Sequence, residues 1–307
     1  MATRVLESSP RILPLYARAA APLLPGASLL PFVPGRAKEI PEIELEQRGV
    51  RTDAAALAAY AKVCGFALRD HLPPTYPHVL AFGLQMAVMA DGAFPFGAVG
   101  LVHVANKIEQ LRRIGIDDEL SIRVRPTKLQ PHPKGQTFSL LTDVTVDGEN
   151  AWRSTSTMLR RGKGGENGRM AGELDPLPGF PADVPASAEW RLGGDLGRRY
   201  AAVSGDRNPI HMHSLTAKPL GFPGAIAHGM WTKARSLAAL DSRLPDSFVA
   251  DIRFRKPILL PARVDFASAE DGEEIAFVVR DAKRQTPHLD GRIQPLQTRK
   301  AKTERKT

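Results

Sequence analysis

The chain carries one cysteine, Cys64, in 307 residues. No intrachain disulfide can form and a zinc cluster built on thiolates is excluded, so the expected setting is reducing and cytoplasmic. A long unbroken apolar run is also missing. The stretch from Ala19 to Val33 follows Arg11 and Arg18 and superficially has the look of a signal peptide. Pro22, Pro25 and Pro31 interrupt it, however, and it is too short to span a bilayer. It is expected to be irregular chain packed on the first domain, with neither a targeting signal nor a transmembrane helix. Zinc-finger spacing, an RNP-like aromatic motif and a helix-turn-helix pattern are absent too, which argues against nucleic acid as a partner.

What is present suits a soluble globular protein, with 43% hydrophobic and 24% charged residues. The length is comfortable for two domains, each able to bury its own core. The net charge of +9 favours an anionic partner. Part of that charge comes from Arg299, Lys300, Lys302, Arg305 and Lys306, and the stretch 297–307 reads as a solvated, disordered tail.

The stretch from Tyr200 to Trp231 holds the candidate chemistry. Asp206 stands five residues before His211 across an Asn208-Pro209 step. The residue before a proline is pushed into extended geometry, so no regular helix can run between the two, and the loop could aim both side chains at one point. From His228 to Leu240 the residues read as a mostly apolar helix opened by Gly229. Such a helix start offers unpaired N–H groups, and the positive end of its dipole, to a developing oxyanion.

These residues resemble the MaoC-like (R)-specific enoyl-CoA hydratase and dehydratase family. Tyr200, Ser204, Gly205, Asp206, Asn208, Pro209 and His211 match its first signature, and His228, Gly229 and Met230 match the later His-Gly-Met. The resemblance implies a hotdog fold, in which an antiparallel sheet wraps a long helix. It also implies a reaction: reversible addition of water to a trans-2-enoyl thioester, giving the (R)-3-hydroxyacyl thioester. Asp206 and His211 would handle the protons of one water, and the Gly229 N–H would polarise the thioester carbonyl. Asn208 would orient the water or Asp206, and Ser204 would support the loop. No metal and no cofactor is implied, coenzyme A being part of the substrate. The cluster Arg253, Arg255 and Lys256 is a candidate for its phosphates, though an ordinary solvated strand face is an equal reading. An acyl-carrier-protein thioester is the other candidate substrate.

The first half holds a worn copy of the same loop. Aligned at constant offset, Tyr60 falls on Tyr200, Val63 on Val203, Cys64 on Ser204, Gly65 on Gly205 and His71 on His211. Phe66 replaces Asp206 and Leu68 replaces Asn208, so the copy has no carboxylate to accept a proton. Thr52 is expected to cap a helix to Val63, after a short strand over 39–46. His78 to Asp91 is almost wholly apolar, as for a helix buried on every side, with Met86 and Met89 as core. Each such helix precedes matching strands: 99–113 and 248–256, 120–124 and 262–267, 137–146 and 275–280, 151–159 and 289–293. Asp147-Gly148 and Asp290-Gly291 give hairpin signals. The pattern is α+β and predicts a tandem double hotdog, two antiparallel sheets each wrapping a central helix. The domains expected are 1–160, a degenerate hotdog; 161–187, a Gly/Pro-rich linker; and 188–296, the catalytic hotdog. The whole would act as a monomeric double hotdog or as a homodimer.

Three other readings bear on the same residues. Asp206, His211, His213 and His228 could be metal ligands. A hotdog thioesterase would need an acid or nucleophile on the second central helix, whose first turns carry neither Asp nor Glu. A non-catalytic acyl-thioester binder has its precedent in the decayed first loop. His103, His132 and His288 show no partner pattern and are expected to be ordinary surface or strand histidines.

Overall fold

The computed structural model describes residues 2–21, 34–35, 37–162 and 184–296. The expected linker and the basic tail therefore fall largely or wholly outside the described residues, as does most of the proline-broken stretch. That stretch begins differently from expectation. Ile12–Ala20 forms helix α1, preceded by a strand, β1, at Ala2–Leu6.

The first half continues with β2 (Ile43–Val50), α2 (Ala54–Cys64), α3 (Tyr76–Met89), β3 (Val102–Gln110), β4 (Leu120–Pro126), β5 (Gln130–His132), β6 (Gly135–Val146) and β7 (Glu149–Arg161). Asp53, rather than Thr52, caps α2, its carboxylate accepting the Ala56 N–H at 2.7 Å. Aspartate one residue later satisfies the same orphan donor and adds a charge favourable to the helix dipole. Gly65 closes the helix at φ +83°, left-handed backbone that glycine adopts without penalty. Helix α3 starts two residues earlier than the apolar run suggested, because Pro77 is tolerated in its first turn.

The second half comprises β8 (Ala188–Leu192), α4 (Leu196–Ser204), the short helices α5 (Pro209–Met212) and α6 (Ser214–Ala217), α7 (Gly229–Ala239), β9 (Phe248–Phe254), β10 (Ala262–Asp271), β11 (Glu274–Asp281) and β12 (Pro287–Pro295). Inward positions alternate along these strands: Phe248, Ala250 and Ile252 on β9, and Ile275, Phe277 and Val279 on β11, are buried. Burying each large apolar side chain contributes about 1.5–3 kcal/mol.

The two expected sheets are joined edge to edge. Strands β3 and β9 pair antiparallel, with Ala105 opposite Arg253 and Gln110 opposite Phe248. The described strands therefore make one 12-stranded sheet in the order β1-β2-β4-β6-β7-β3-β9-β12-β11-β10-β8, with β5 on β6. One apolar core runs across both halves. At their contact the rings of Tyr60 and Tyr200, the residues matched in the internal repeat, lie 6.2 Å apart.

A buried lysine ties this seam together. Lys233 of α7 is fully buried, and its Nζ donates to Asn106 Oδ1 at 2.5 Å, Asn106 O at 3.1 Å and Ala250 O at 3.1 Å. Burial pushes its pKa well down, while three oxygen acceptors, one for each N–H of an ammonium, work against that shift. Asn106 in turn donates to Ser154 and Ser156 of β7.

One hairpin signal fails. Asp147 and Gly148, both at positive φ, form the β6–β7 turn as expected. Asp290-Gly291 lies inside β12 instead. Gly291 is there because any side chain would collide with the Phe277 ring of β11, so the glycine marks a close approach and not a turn.

Candidate active site

A cavity of about 490 Å³ opens between α3, α7 and the β3–β9 seam, lined from both halves. Asp206, His211 and Gly229 face it, together with Tyr16, Met86 and His103.

The loop that carries Asp206 is built by local bonds. Helix α4 stops at Gly205, at φ +77°. Ser204 Oγ donates to Tyr200 O at 2.8 Å and accepts the Asp206 N–H at 3.2 Å. Asn208 caps α5, its side-chain oxygen accepting the Ile210 N–H at 3.4 Å, while its own N–H donates to Asp206 Oδ1 at 3.2 Å. Asn208 thus orients the carboxylate through its backbone and not through its amide. Pro209 then opens α5, which delivers His211.

His211 Nδ1 lies 2.8 Å from Ile226 O. A carbonyl can only accept, so Nδ1 carries the proton and Nε2 keeps a lone pair. His228 caps α7 and donates from Nε2 to Asp206 O at 2.9 Å, with Asp206 Oδ2 3.9 Å from the same nitrogen. The His211 and His228 rings stack at 3.6 Å, and Tyr200 packs on His228 at 4.8 Å. One side-chain donor or acceptor atom each of Asp206, His211 and His228 lies within 4.8 Å of the others. Asp206 and His211 make no direct hydrogen bond to each other, so a small molecule between them could touch both.

Burial alone raises the Asp206 pKa, but His228, His211, the Tyr16 hydroxyl and the Asn208 N–H outweigh it and hold the carboxyl below the usual carboxylate range. Burial, countered in part by Asp206, lowers the pKa of His211. Burial and the neighbouring His211 bring His228 down to about 3. Near neutral pH the site therefore presents a carboxylate and neutral imidazoles.

Gly229 is the first residue of α7, where the N–H has no carbonyl of its own helix to bond. Its lack of a side chain is a matter of space. A Cβ there would lie 2.9 Å from the Phe254 ring.

Several sequence expectations are corrected. Arg253 is buried and held in an ion pair by Asp251, so it is not an exposed rim cation. Arg255 is paired with Asp290, and Lys256 is exposed at the cavity wall with no ion pair among the described residues. Lys134 and Arg161, both exposed and both from the first half, join it there. His213 is exposed and stands apart from the other three histidine and aspartate ligand candidates. The donors on His211 Nδ1 and His228 Nε2 are committed to backbone carbonyls, which narrows what that cluster could offer a metal.

His103 stands on strand β3, in keeping with the expectation of a strand histidine, and faces the cavity. It lies half-buried in the cavity wall, 5.0 Å from Phe254 and 6.3 Å from His78 of α3. Burial brings His103 to about 3 and His78 to about 4, so both are neutral. His132 and His288 also line the cavity.

Nothing in the sequence pattern points to Tyr16. It stands on α1, 190 residues before Asp206, and its hydroxyl donates to Asp206 Oδ1 at 2.7 Å. No spacing rule links positions that far apart.

In the first half, the place of Asp206 is taken by the buried Phe66, stacked 6.5 Å from Tyr60. His71 there pairs with Asp70 at 2.8 Å. Leu68 is exposed.

Residues 183–290 match the model of the MaoC like domain. The chain is 37% identical over 271 residues to 3-hydroxyacyl-thioester dehydratase X of Mycobacterium tuberculosis, a match covering 88% of this chain and 95% of that protein. The crystal structure of HtdX from the same organism superimposes with a TM-score of 0.73 at 35% identity, covering 82% of this chain and all of that one. A further M. tuberculosis structure, described as having a double hotdog fold, matches at TM-score 0.51 and 12% identity, covering 80% of this chain and 93% of that one. With the helix-wrapping sheets and the seam between them, these matches establish that the chain belongs to the MaoC-like dehydratase family, as a hydro-lyase of double-hotdog architecture.

Proposed function

We propose that this protein catalyses the reversible, (R)-specific interconversion of trans-2-enoyl and 3-hydroxyacyl thioesters in fatty-acid or related acyl metabolism. What carries the reading is the convergence of Asp206, His211 and Gly229 on one cavity. The Mycobacterium relative, named for dehydration of 3-hydroxyacyl thioesters, points the same way.

In hydration, water is a poor nucleophile and its attack at C3 drives negative charge onto the thioester oxygen. Asp206 and neutral His211 are both acceptors, so one water can donate a hydrogen to each and turn an oxygen lone pair toward C3. As the C3–O bond forms, one proton passes to the pair. The π electrons of the C2–C3 bond move toward the carbonyl, and the oxygen takes the Gly229 N–H. The enolate then collects a proton at C2 from the pair, so H and OH have been added and both groups are as they began. Dehydration is the reverse. A positioned acid or base contributes about 10²–10⁴ to such a step.

Coenzyme A is favoured over an acyl carrier protein as the carrier. Lys256, Lys134 and Arg161 at the cavity wall suit its phosphates, with Arg255 tempered by Asp290. The first half lends wall to the acyl chain, and its own loop, with Phe66 in place of the carboxylate, does no chemistry. The protein would act in the cytoplasm, as a monomeric double hotdog or a homodimer. No described helix is long and apolar enough to cross a membrane. A thioesterase is disfavoured because α7 carries no carboxylate in its first turn.

The test is the loss of the enoyl absorbance when purified protein meets trans-2-enoyl-CoA of several chain lengths, with chiral analysis of the product. Asp206→Asn and His211→Ala are each expected to lower kcat by about 10²–10⁴-fold. Wild-type rates in both variants would overturn the assignment.

A further inference from the structure

Helix α1 lies outside the part of the chain that matches the family model. It is nevertheless packed firmly over the site. Leu15 and Ala19 are buried in the main core, Pro10 just before it packs on Gly83 of α3, and Ile12 lies against Gly205 beneath the Asp206 loop. The segment that leads to it is fixed as well. Strand β1 pairs parallel with β2 from Ala2↔Ile43 to Leu6↔Gln47, and Thr3 and Ser9 hydrogen-bond Glu44 and Gln47, each at 2.8 Å.

The hydroxyl of Tyr16 therefore has a defined place. Asp206 Oδ1 receives two donors, the Tyr16 hydroxyl at 2.7 Å and the Asn208 N–H at 3.2 Å, which fill its two lone-pair directions. Oδ2 faces His228 at 3.9 Å, beyond hydrogen-bond distance, and is the oxygen with capacity left.

We propose that Tyr16 is a positioning residue of the active site: by occupying Oδ1 together with the Asn208 N–H, it fixes the carboxylate plane and makes Oδ2 the oxygen that meets the reacting water. The proposal rests on the hydratase reading and deepens it. It makes the N-terminal helix part of the proton-handling machinery, reaching 190 residues along the chain.

The groups facing Asp206 are Tyr16 from α1, His78 from α3, His103 from β3, Tyr200 and Ser204 from α4, His211 from α5, His228 at the head of α7, and Asn208 of its own loop. Tyr16→Phe keeps the ring and deletes one donor to the ionised carboxylate. A hydrogen bond to a charged group is worth about 1.5–3 kcal/mol, so kcat should fall by about 10–100-fold. KM should stay within about twofold, since the substrate-binding walls are untouched. Losing a donor to the charged form raises the Asp206 pKa, so the acid limb of the kcat/KM profile should move to higher pH.

Leu15→Ala is the control for packing. It should lower Tm by more than Tyr16→Phe does, yet leave the acid limb where it is in wild type. An unmoved limb and a wild-type kcat in Tyr16→Phe, with Asp206→Asn inactive in the same assay, would overturn the proposal while sparing the hydratase assignment. So would an equal displacement of the limb in Leu15→Ala. Wild-type protein that fails to hydrate any enoyl thioester would instead sink the assignment on which the proposal rests.

Discussion

The loops after α2 and α4 share a glycine turn and differ in chemistry. Both helices end on a glycine at positive φ, Gly65 at +83° and Gly205 at +77°, and both carry a buried tyrosine that meets its counterpart across the contact between the halves. After that glycine, one loop has Phe66 in the core and the other has Asp206 on the cavity. The fold therefore constrains the turn and leaves the next position free. What makes the second position a carboxylate site is its surroundings: His211, His228, Asn208 and Tyr16 all face Asp206, whereas Phe66 has an aromatic neighbour and no donor set. A carboxylate site is thus a property of the neighbours that converge on it more than of its own backbone.

The comparison can be strained at several points. The largest effect is expected at the head of α7. Gly229→Ala drives a methyl group into Phe254 and displaces the N–H meant for the thioester oxygen. Removal of one such donor costs about 10²–10³ in kcat, so steady-state turnover should fall by that order with a smaller change in KM. If Gly229→Ala retains wild-type kcat, the oxyanion role is wrong.

A smaller effect tests whether both halves serve the carrier. Lys256→Glu in the second half and Lys134→Glu in the first should each raise KM for the enoyl-CoA by about tenfold, with wild-type binding weakened by salt. A KM change confined to Lys256→Glu would return the carrier site to the second half alone. A competition won by the carrier-protein thioester at equal concentration would reverse the preference for coenzyme A.

The smallest effect belongs to the worn loop. His71 is paired with Asp70 and faces a minor cleft apart from the main cavity, so His71→Ala should leave kcat within about twofold of wild type. A collapse of turnover in a folded His71→Ala protein would show that the first loop still works.

Local signals were read well from the sequence, and distant ones were not. The Asp206-to-His211 spacing, the glycine start of α7, the buried run of α3 and the order of strands follow from turn chemistry and periodicity, which act over a few residues. The repeat supplied the double architecture. What went unread depended on tertiary placement. Tyr16 reaches Asp206 across 190 residues, and β1 finds a parallel partner in β2 that nothing in its own five residues announces. Arg253 reads as a rim cation until the β3–β9 pairing buries it beside Asp251. His103 is a strand histidine as expected, but only the fold shows that its strand lines the cavity. Asp290-Gly291 carries a turn signal, but Phe277 on the neighbouring strand claims the glycine's empty face.

The lysine at the seam has an effect on how this enzyme can be taken apart. Lys233 sits one turn along from Gly229 on the same helix, and two of its three acceptors belong to Asn106 of the first half, the third to Ala250 of the second. Severing the halves would leave the buried Lys233 amine with a single partner, and unpaired buried donors are costly. The first half thus acts as an anchor for the helix that opens with Gly229. Its sequence can drift at Phe66 and Leu68, but at Asn106 it is bound to the chemistry of the other half.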